Sequence, residues 1–262
     1  MDLGLKGKIA LLTGASRGLG FATAQALAKE GARIAINARD EKRLAKAGDQ
    51  LAKFKTDVIS LPGDVTDPGA GFKLIGSTFA VLGGLDLLFI NAGGPPPGAF
   101  EELDETAWQK AIDLSFMSHV RLIKAALPFL RQSSSPAVLS VASISVKQPI
   151  PNLVLSNSIR AATVGLIKTL ALELGHEGIR FNAILPSWTQ TERVEQLMAD
   201  RAKRKGTSIA TEIAAQNAQS PLGRMGTPEE FAKAAVFLLS PAASYLTGVM
   251  LPVDGGTYKG LY

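Results

Sequence analysis

Residues 9–20 read "IALLTGASRGLG", and the run after them, "FATAQALAKEG" (21–31), carries apolar side chains at three- and four-residue spacing. The aliphatic start suits a short buried strand, and the periodic run suits an amphipathic helix. Between them Gly14, Gly18 and Gly20 permit a tight turn and let backbone approach a ligand closely. A helix N-terminus offers unpaired N–H groups and the positive end of its dipole, so this turn is suited to a pyrophosphate. A glycine-rich turn alone says little. Its place, after an N-terminal strand and before an amphipathic helix, is what predicts a dinucleotide site, with Ser16, Arg17 and Leu19 completing the loop.

The same residues also fit G-x-S-x-G as "GASRG", the nucleophile elbow of α/β hydrolases. An elbow needs an oxyanion loop from an earlier strand, whereas this turn follows the first one. Its base would have to be His119 or His176, the only histidines, and both lie in helix-like stretches. Ser16 is therefore read as a phosphate-loop serine, with a serine hydrolase as the remote alternative.

Outward from this unit the same rhythm repeats. Strands are expected at Ile9–Thr13, Arg33–Asn37, Val58–Leu61, Leu85–Ile90, Ala137–Val141, Arg180–Leu185 and Val249–Val253, separated by helix-length amphipathic segments. Gly31, Gly175 and Gly178 fall where helix ends are expected, at positions suited to positive φ. Strand–helix alternation implies an α/β fold, a doubly wound parallel sheet of about seven strands with helices on both faces. Without a linker or internal repeat, residues 1–262 read as a single-domain Rossmann fold. The exception to the rhythm is a polar, helical insertion at about 187–227, placed where such excursions cover a ligand crevice.

Composition narrows the function. A hydrophobic content of 46% supports a large core, and 28 basic against 23 acidic residues leave a charge of +5 that suits an anionic ligand. The basic residues are scattered along helix-like stretches and only 6% of residues are aromatic, which is not a nucleic-acid surface. Cysteine is absent, excluding disulfides, thiolate metal sites and cysteine nucleophiles, and two histidines do not make a multi-histidine metal centre. No signal-peptide pattern and no apolar run of membrane-spanning length is found, so the expectation is a cytoplasmic protein without membrane association.

Cofactor choice is read at the end of the second strand, "RIAINARD" (33–40). An acid there would bind the ribose 2′-hydroxyl of NAD. Asn37, Ala38 and Arg39 stand there instead, and Arg17 lies in the phosphate loop. Two guanidiniums suit a 2′-phosphate, which favours NADP(H) over NAD(H). The plainer reading is a charged helix start at Arg39 and a solvated Arg17.

Taken together, the chain resembles the short-chain dehydrogenase/reductase family along nearly its whole length, and particularly its 3-oxoacyl-[acyl-carrier-protein] reductase-like branch. "TGASRGLG" resembles the family's TGxxxGxG loop. "GDVTD" resembles the segment whose Asp64 and Val65 contact adenine, and "NAGG" the motif that places Asn91, Ala92 and Gly93 beside the cofactor. "IRFNAILPSWTQT" resembles the stretch carrying Pro186 and then the nicotinamide-carboxamide partners, here Thr189 and Thr191. "TGVMLPVDGG" resembles the closing strand. No metal is implied. A small-molecule carbonyl or alcohol substrate is, together with a homotetramer (or dimer) built on the helices carrying Ser115 and Ser156. An acyl carrier protein is a further partner the branch suggests, and "RAKRKG" would be the stretch to meet it if it is not simply a solvated helix end.

The family's catalytic tetrad is Asn, Ser, Tyr and Lys. By spacing, the serine is Ser143 in "SVASIS". The asparagine position falls at Ser115, the tyrosine position at Ser156 and the lysine position at Arg160, with "RAATVGLIKTLALELG" holding the register. In the family, serine holds the substrate oxygen, tyrosine transfers the proton, lysine lowers the tyrosine pKa and binds ribose, and asparagine positions a water. A phenol titrates near ~10, whereas an aliphatic hydroxyl is a far weaker acid and Ser156 is much shorter. A positioned acid or base contributes about 10²–10⁴ in rate, or roughly 3–5 kcal/mol. Arg160 keeps a positive charge and binds ribose hydroxyls, but does not readily release a proton.

Other donors are Lys147, four residues after Ser143, and the tail residues Tyr258 and Tyr262, one of which would reach a neighbouring subunit's pocket. Each also has an ordinary reading, as solvent-exposed lysine and tail or interface tyrosines. His119, four residues after Ser115, would share its helix face and otherwise is a structural or interface residue. Two functions therefore stand: an NADP(H)-dependent oxidoreductase with an atypical active site, and a dinucleotide-binding sensor or partner subunit with impaired catalysis.

Overall fold

The computed structural model describes residues 1–261. Its strands are β1 (Ile9–Leu12), β2 (Arg33–Ala38), β3 (Val58–Pro62), β4 (Leu87–Ile90), β5 (Ala137–Val141), β6 (Arg180–Pro186) and β7 (Met250–Val253). They form one seven-stranded sheet in the order β3-β2-β1-β4-β5-β6-β7, and every neighbouring pair is parallel. This is a Rossmann-like doubly wound fold, in which the strand order reverses between β1 and β4 and opens a crevice at their C-terminal ends. All seven expected strands occur. β4 starts later than expected because Asp86 is spent on entry: its carboxylate accepts from Ile9 N at 2.8 Å and its own N–H donates to Ile9 O at 2.9 Å.

The helices are α1 (Gly18–Lys29), α2 (Glu41–Ala52), α3 (Ala70–Leu82), α4 (Glu105–Ile112), α5 (Ser118–Leu130), α6 (Val154–Leu174), α7 (Glu192–Lys205), α8 (Ile209–Asn217) and α9 (Pro228–Leu239). Strand side chains alternate between two cores. Leu12, Ile34, Ile36 and Phe89 pack with Leu27, Leu44 and Phe231 beneath α1, α2 and α9. Leu11, Leu88, Ile90 and Phe181 pack with Leu74, Leu122 and Ile167 beneath α3, α5 and α6. The continuous aliphatic strands follow from this two-sided burial, since each face has its own helix layer. Full burial of a side chain such as Phe89, Phe181 or Phe231 contributes about 1.5–3 kcal/mol.

Among the described residues one buried cation lies on the sheet, and its hydrogen bonds go to main-chain carbonyls. Arg180 at the start of β6 donates to Leu238 O, Leu239 O and Ser240 O at 2.7–3.0 Å, closing the C-terminal end of α9 where carbonyls lack partners. Gly178 takes the expected left-handed turn (φ 79°), whereas Gly175 does not: its φ is −60°, because the chain continues through a 3₁₀ turn before reversing. Among the described residues no helix is long and apolar enough to cross a membrane, and no group of three or more His, Asp or Glu side chains is placed to hold a metal.

Candidate active site

The glycine turn after β1 is fixed by backbone contact. A Cβ on Gly14 would lie 2.6 Å from Asn91 O, and one on Gly20 would lie 2.3 Å from Gly14 O, so neither position admits a side chain. Gly14 is also left-handed, at φ 57°. Asn91, at the end of β4, donates from Nδ2 to Gly14 O at 3.0 Å, and Thr13 Oγ1 bridges to Asn91 O and N at 2.9 and 3.0 Å. These bonds hold the turn against the sheet at the β1/β4 switch. α1 has no side-chain cap of its own, so its first N–H groups remain for a ligand. Leu19 is half-buried and its carbonyl accepts from Thr23 Oγ1 at 2.8 Å within α1. Among the described residues, Ser16 makes no hydrogen bond to either histidine, which leaves the elbow reading without a base.

At the ribose end, Asn37 is buried and turned inward, donating to Leu61 O and Gly63 O at 2.9 and 3.1 Å. Arg39 is 75% exposed and reaches Asp64 at 3.4 Å. Burial pushes the Asp64 carboxyl up, but hydrogen bonds from Thr66 N and Oγ1, with the Arg39 charge, outweigh it and hold it below its ordinary value. Val65 beside it is buried. Arg17 is ion-paired with Glu192, the first residue of α7, and Arg43 approaches the same carboxylate at 3.6 Å.

The residues expected at the tetrad positions stand on three parts of the fold: Ser143 after β5, Ser156 and Arg160 on α6, and Ser115 between α4 and α5. Ser143 follows β5 in extended backbone (φ −164°), and its Oγ accepts from Ser145 N at 3.1 Å, which leaves its O–H to donate. Arg160 on α6 donates from Nη1 to Val141 O and Ala142 O at 2.8 and 2.9 Å, tying the helix to the strand end that carries Ser143. Burial, and then the charge of Arg193, bring the Arg160 pKa down to about 10, so it stays cationic at neutral pH. Ser156 is half-buried near the start of α6 with no hydrogen bond of its own among the described residues. Its neighbour Asn157 explains the polar helix start: Nδ2 donates to Ile150 O at 3.0 Å and Oδ1 accepts from Ile150 N at 3.3 Å, fastening the loop before α6.

Ser115 lies in a π-helical turn, Asp113–Met117, between α4 and α5, a feature frequent at functional sites. Its Oγ is buried without a partner, while its carbonyl accepts from Thr163 Oγ1 at 2.6 Å. The wide turn changes the phase that a regular helix would give Ser115 and His119. His119 is fully enclosed; burial, and then the Arg160 charge, bring its imidazole pKa down to about 3. It is therefore neutral at pH 7.

Beside Ser143 opens a cavity of about 460 Å³, lined among others by Ile144, Leu153, Ser187, Trp188, Arg201 and Tyr258. Residues of α7 and α8 supply one wall of it, among them Leu197, Arg201 and Gln216. Tyr258 lines its own chain's cavity instead of forming an exposed tail, and Lys147 Nζ lies 5.3 Å from its ring centroid. Tyr262 lies outside the described residues. Pro186 ends β6, Thr189 is buried with a 3.5 Å contact to Ser187 O, and Thr191 Oγ1 caps α7 by accepting from Val194 N. Sequence reasoning missed Trp188, over which Arg201 stacks at 4.9 Å, and Arg193, which donates to Pro95 O at 2.7 Å. The only available signal for Arg193 was its place two residues after Thr191.

The family model described as enoyl-(acyl carrier protein) reductase matches residues 14–258. A 2,5-dichloro-2,5-cyclohexadiene-1,4-diol dehydrogenase of Sphingobium indicum is 32% identical, with 98% of each chain covered. The crystal structure of L-sorbose reductase from Gluconobacter frateurii, complexed with NADPH and L-sorbose, superposes with a TM-score of 0.95 at 34% identity over 100% of both chains. An NADPH-bound short-chain oxidoreductase from Pseudomonas aeruginosa, described as containing an atypical catalytic center, gives 0.88 at 32% identity over 97% of both. The chain belongs to the short-chain dehydrogenase/reductase family, whose members related to it are NAD(P)-dependent oxidoreductases acting on alcohols and carbonyls.

Proposed function

We propose that this protein, as one cofactor-binding domain with a substrate lid at about 187–227, is an NADP(H)-dependent oxidoreductase. It would reduce a small-molecule carbonyl, of 3-oxoacyl or related type, or oxidise the corresponding alcohol. The observation that carries the reading is the pairing of a glycine cradle that no Cβ can enter with a Ser143 hydroxyl whose acceptor side is already satisfied. The cradle fits a dinucleotide: Gly14, Ser16, Arg17, Gly18, Leu19 and Gly20 would hold the phosphates, Asp64 and Val65 the adenine, and Asn91, Ala92 and Gly93 the adjoining ribose. Pro186, Thr189 and Thr191 would flank the nicotinamide. Arg17 and Arg39 favour NADP(H), and NADPH is the ligand of the L-sorbose reductase and Pseudomonas structures.

A bound nicotinamide supplies or accepts the hydride. Ser143 donates to the substrate oxygen and fixes it at the cavity edge. Ser156 and Ser115 are not matched to proton transfer, one because it is short and weakly acidic, the other because its hydroxyl is enclosed. The proton in this reading comes from Tyr258, which lines the cavity, with the Lys147 ammonium beside its ring. Homotetramer (or dimer) assembly, an acyl carrier protein as donor and a cytoplasmic location rest on the family resemblance. Oxidation of NADPH by a panel of ketones, ketoses and 3-oxoacyl thioesters tests the function. Ser143→Ala is expected to lower kcat by about 10²-fold or more while leaving NADPH affinity unchanged.

A second reading, a catalytically impaired dinucleotide-binding sensor or partner subunit, is favoured by the commitment of Arg160 to the carbonyls of Val141 and Ala142. Tight NADPH binding with no turnover across the panel selects it.

A further inference from the structure

We propose that Arg160 and Arg193 form a two-guanidinium clamp that binds an oxyanion above Gly94, supplied by the cofactor's pyrophosphate or by a substrate carboxylate. The clamp rests on the oxidoreductase reading only for the identity of its ligands. Its geometry is independent of that reading. The point a Gly94 Cβ would occupy lies 3.5 Å from Arg193 Nη2, 3.7 Å from Arg193 Nε and 3.9 Å from Arg160 Nη2. Two arginine heads from different elements, α6 and the start of α7, thus converge on one spot that glycine leaves open at the C-terminal end of β4.

Convergence of like charges needs a reason. Both side chains are half-buried, and no carboxylate forms an ion pair with either among the described residues. Their recorded partners are neutral: Val141 O and Ala142 O for Arg160, Pro95 O for Arg193. The acid that influences Arg193, Asp200, is exposed and makes no hydrogen bond to it. Burial together with a neighbouring like charge disfavours two cations unless an anion joins them. Each guanidinium carries five N–H donors in a planar fork, and only Nη1 of Arg160 and Nη2 of Arg193 have recorded acceptors. The donors left over match the bidentate geometry of carboxylate or phosphate oxygens. By contrast, Glu192, next to Arg193 in sequence, turns to Arg17 and Arg43 and leaves this pair unneutralised.

Titration calorimetry with the full chain tests the clamp. The ligands are NADPH, ADP-ribose, and the matched pair 4-oxocyclohexanecarboxylate and its methyl ester; the proteins are the wild type, Arg193→Gln and Arg193→Lys. If the anion is the pyrophosphate, Arg193→Gln weakens NADPH and ADP-ribose about tenfold or more, the scale of hydrogen bonds to a charged group. If it is a substrate carboxylate, the wild type prefers the acid over the ester, and Arg193→Gln erases that preference while dinucleotide affinity holds. Arg193→Lys falls between, because it keeps the charge and loses the fork. The clamp is overturned if Arg193→Gln leaves every affinity unchanged. It is equally overturned if the variant weakens the neutral ester as much as the anions, or lowers the unfolding temperature enough to account for the losses. A wild type that binds no dinucleotide removes the oxidoreductase reading, and the acid–ester comparison then judges the clamp alone.

Discussion

The turn at residues 13–20 and the segment from Ser143 to Arg160 each follow the C-terminal end of a sheet strand, β1 and β5, and are built on opposite terms. In the first, backbone does the work: Gly14 and Gly20 touch main-chain oxygens, and Asn91 locks the turn with one side-chain bond. In the second, polar side chains carry the architecture. Asn157 fastens Ile150, Arg160 fastens the end of β5, and Ser145 N orients Ser143. The backbone-built region leaves little room for change, because any added atom collides. The side-chain-built region holds its shape through bonds made by Asn157, Arg160 and Ser145 N, whereas the Ser156 side chain makes none among the described residues and is the position free to change.

The sharpest way to break this comparison is to place a tyrosine and a lysine where the family resemblance expects them. If the parent does not turn over, Ser156→Tyr with Arg160→Lys is expected to raise ketone reduction by about 10²–10⁴-fold, read as NADPH oxidation. That gain selects the impaired-catalysis reading; a parent in which Tyr258 already delivers the proton gains far less. No gain over a parent without turnover, with NADPH binding retained, would show that the framework around Arg160 is not separable from its chemistry. A smaller effect concerns the enclosed neighbour of that framework. His119 has its pKa lowered from 6.5 to about 3, so between those values the unfolded chain takes up a proton the folded chain refuses. Stability therefore falls as pH drops below 6.5, by about 1.4 kcal/mol per pH unit from this one group. His119→Gln should flatten that slope in urea unfolding measured from neutral pH to about pH 5; an unchanged slope would mean the imidazole is not enclosed. The mildest effect belongs to the cofactor side. Arg39→Ala should weaken NADPH by only about three- to tenfold and leave NADH unchanged, since the side chain is exposed.

Most of the fold was legible because two-sided burial makes each strand a continuous aliphatic run, and because β1, the glycine turn and α1 are contiguous in sequence. The limits of that legibility are instructive. Gly175 reads as a positive-φ helix end, yet the chain delays its reversal by three residues to Gly178. Ser115 and His119 read as neighbours on a regular helix, but a π-helical turn intervenes, and nothing in "DLSFMSHV" announces it. Tyr258 reads as tail and folds instead over the cavity, because Asp254 accepts from Tyr258 N at 2.8 Å and turns the chain back. Arg193 carried almost no signal, since its partners lie far away in sequence.

By itself the sequence determined the parallel sheet and the glycine turn, and it marked the positions where the resemblance expects a tetrad, all of which depend on periodicity or spacing within short segments. Tertiary structure decided which side chains those segments share. It put Glu192 on Arg17, Lys147 beside Tyr258, and Arg160 with Arg193 around Gly94. Local pattern records what a strand or helix must bury, whereas the pairing of charges across loops depends on distances that exist only once the sheet has assembled.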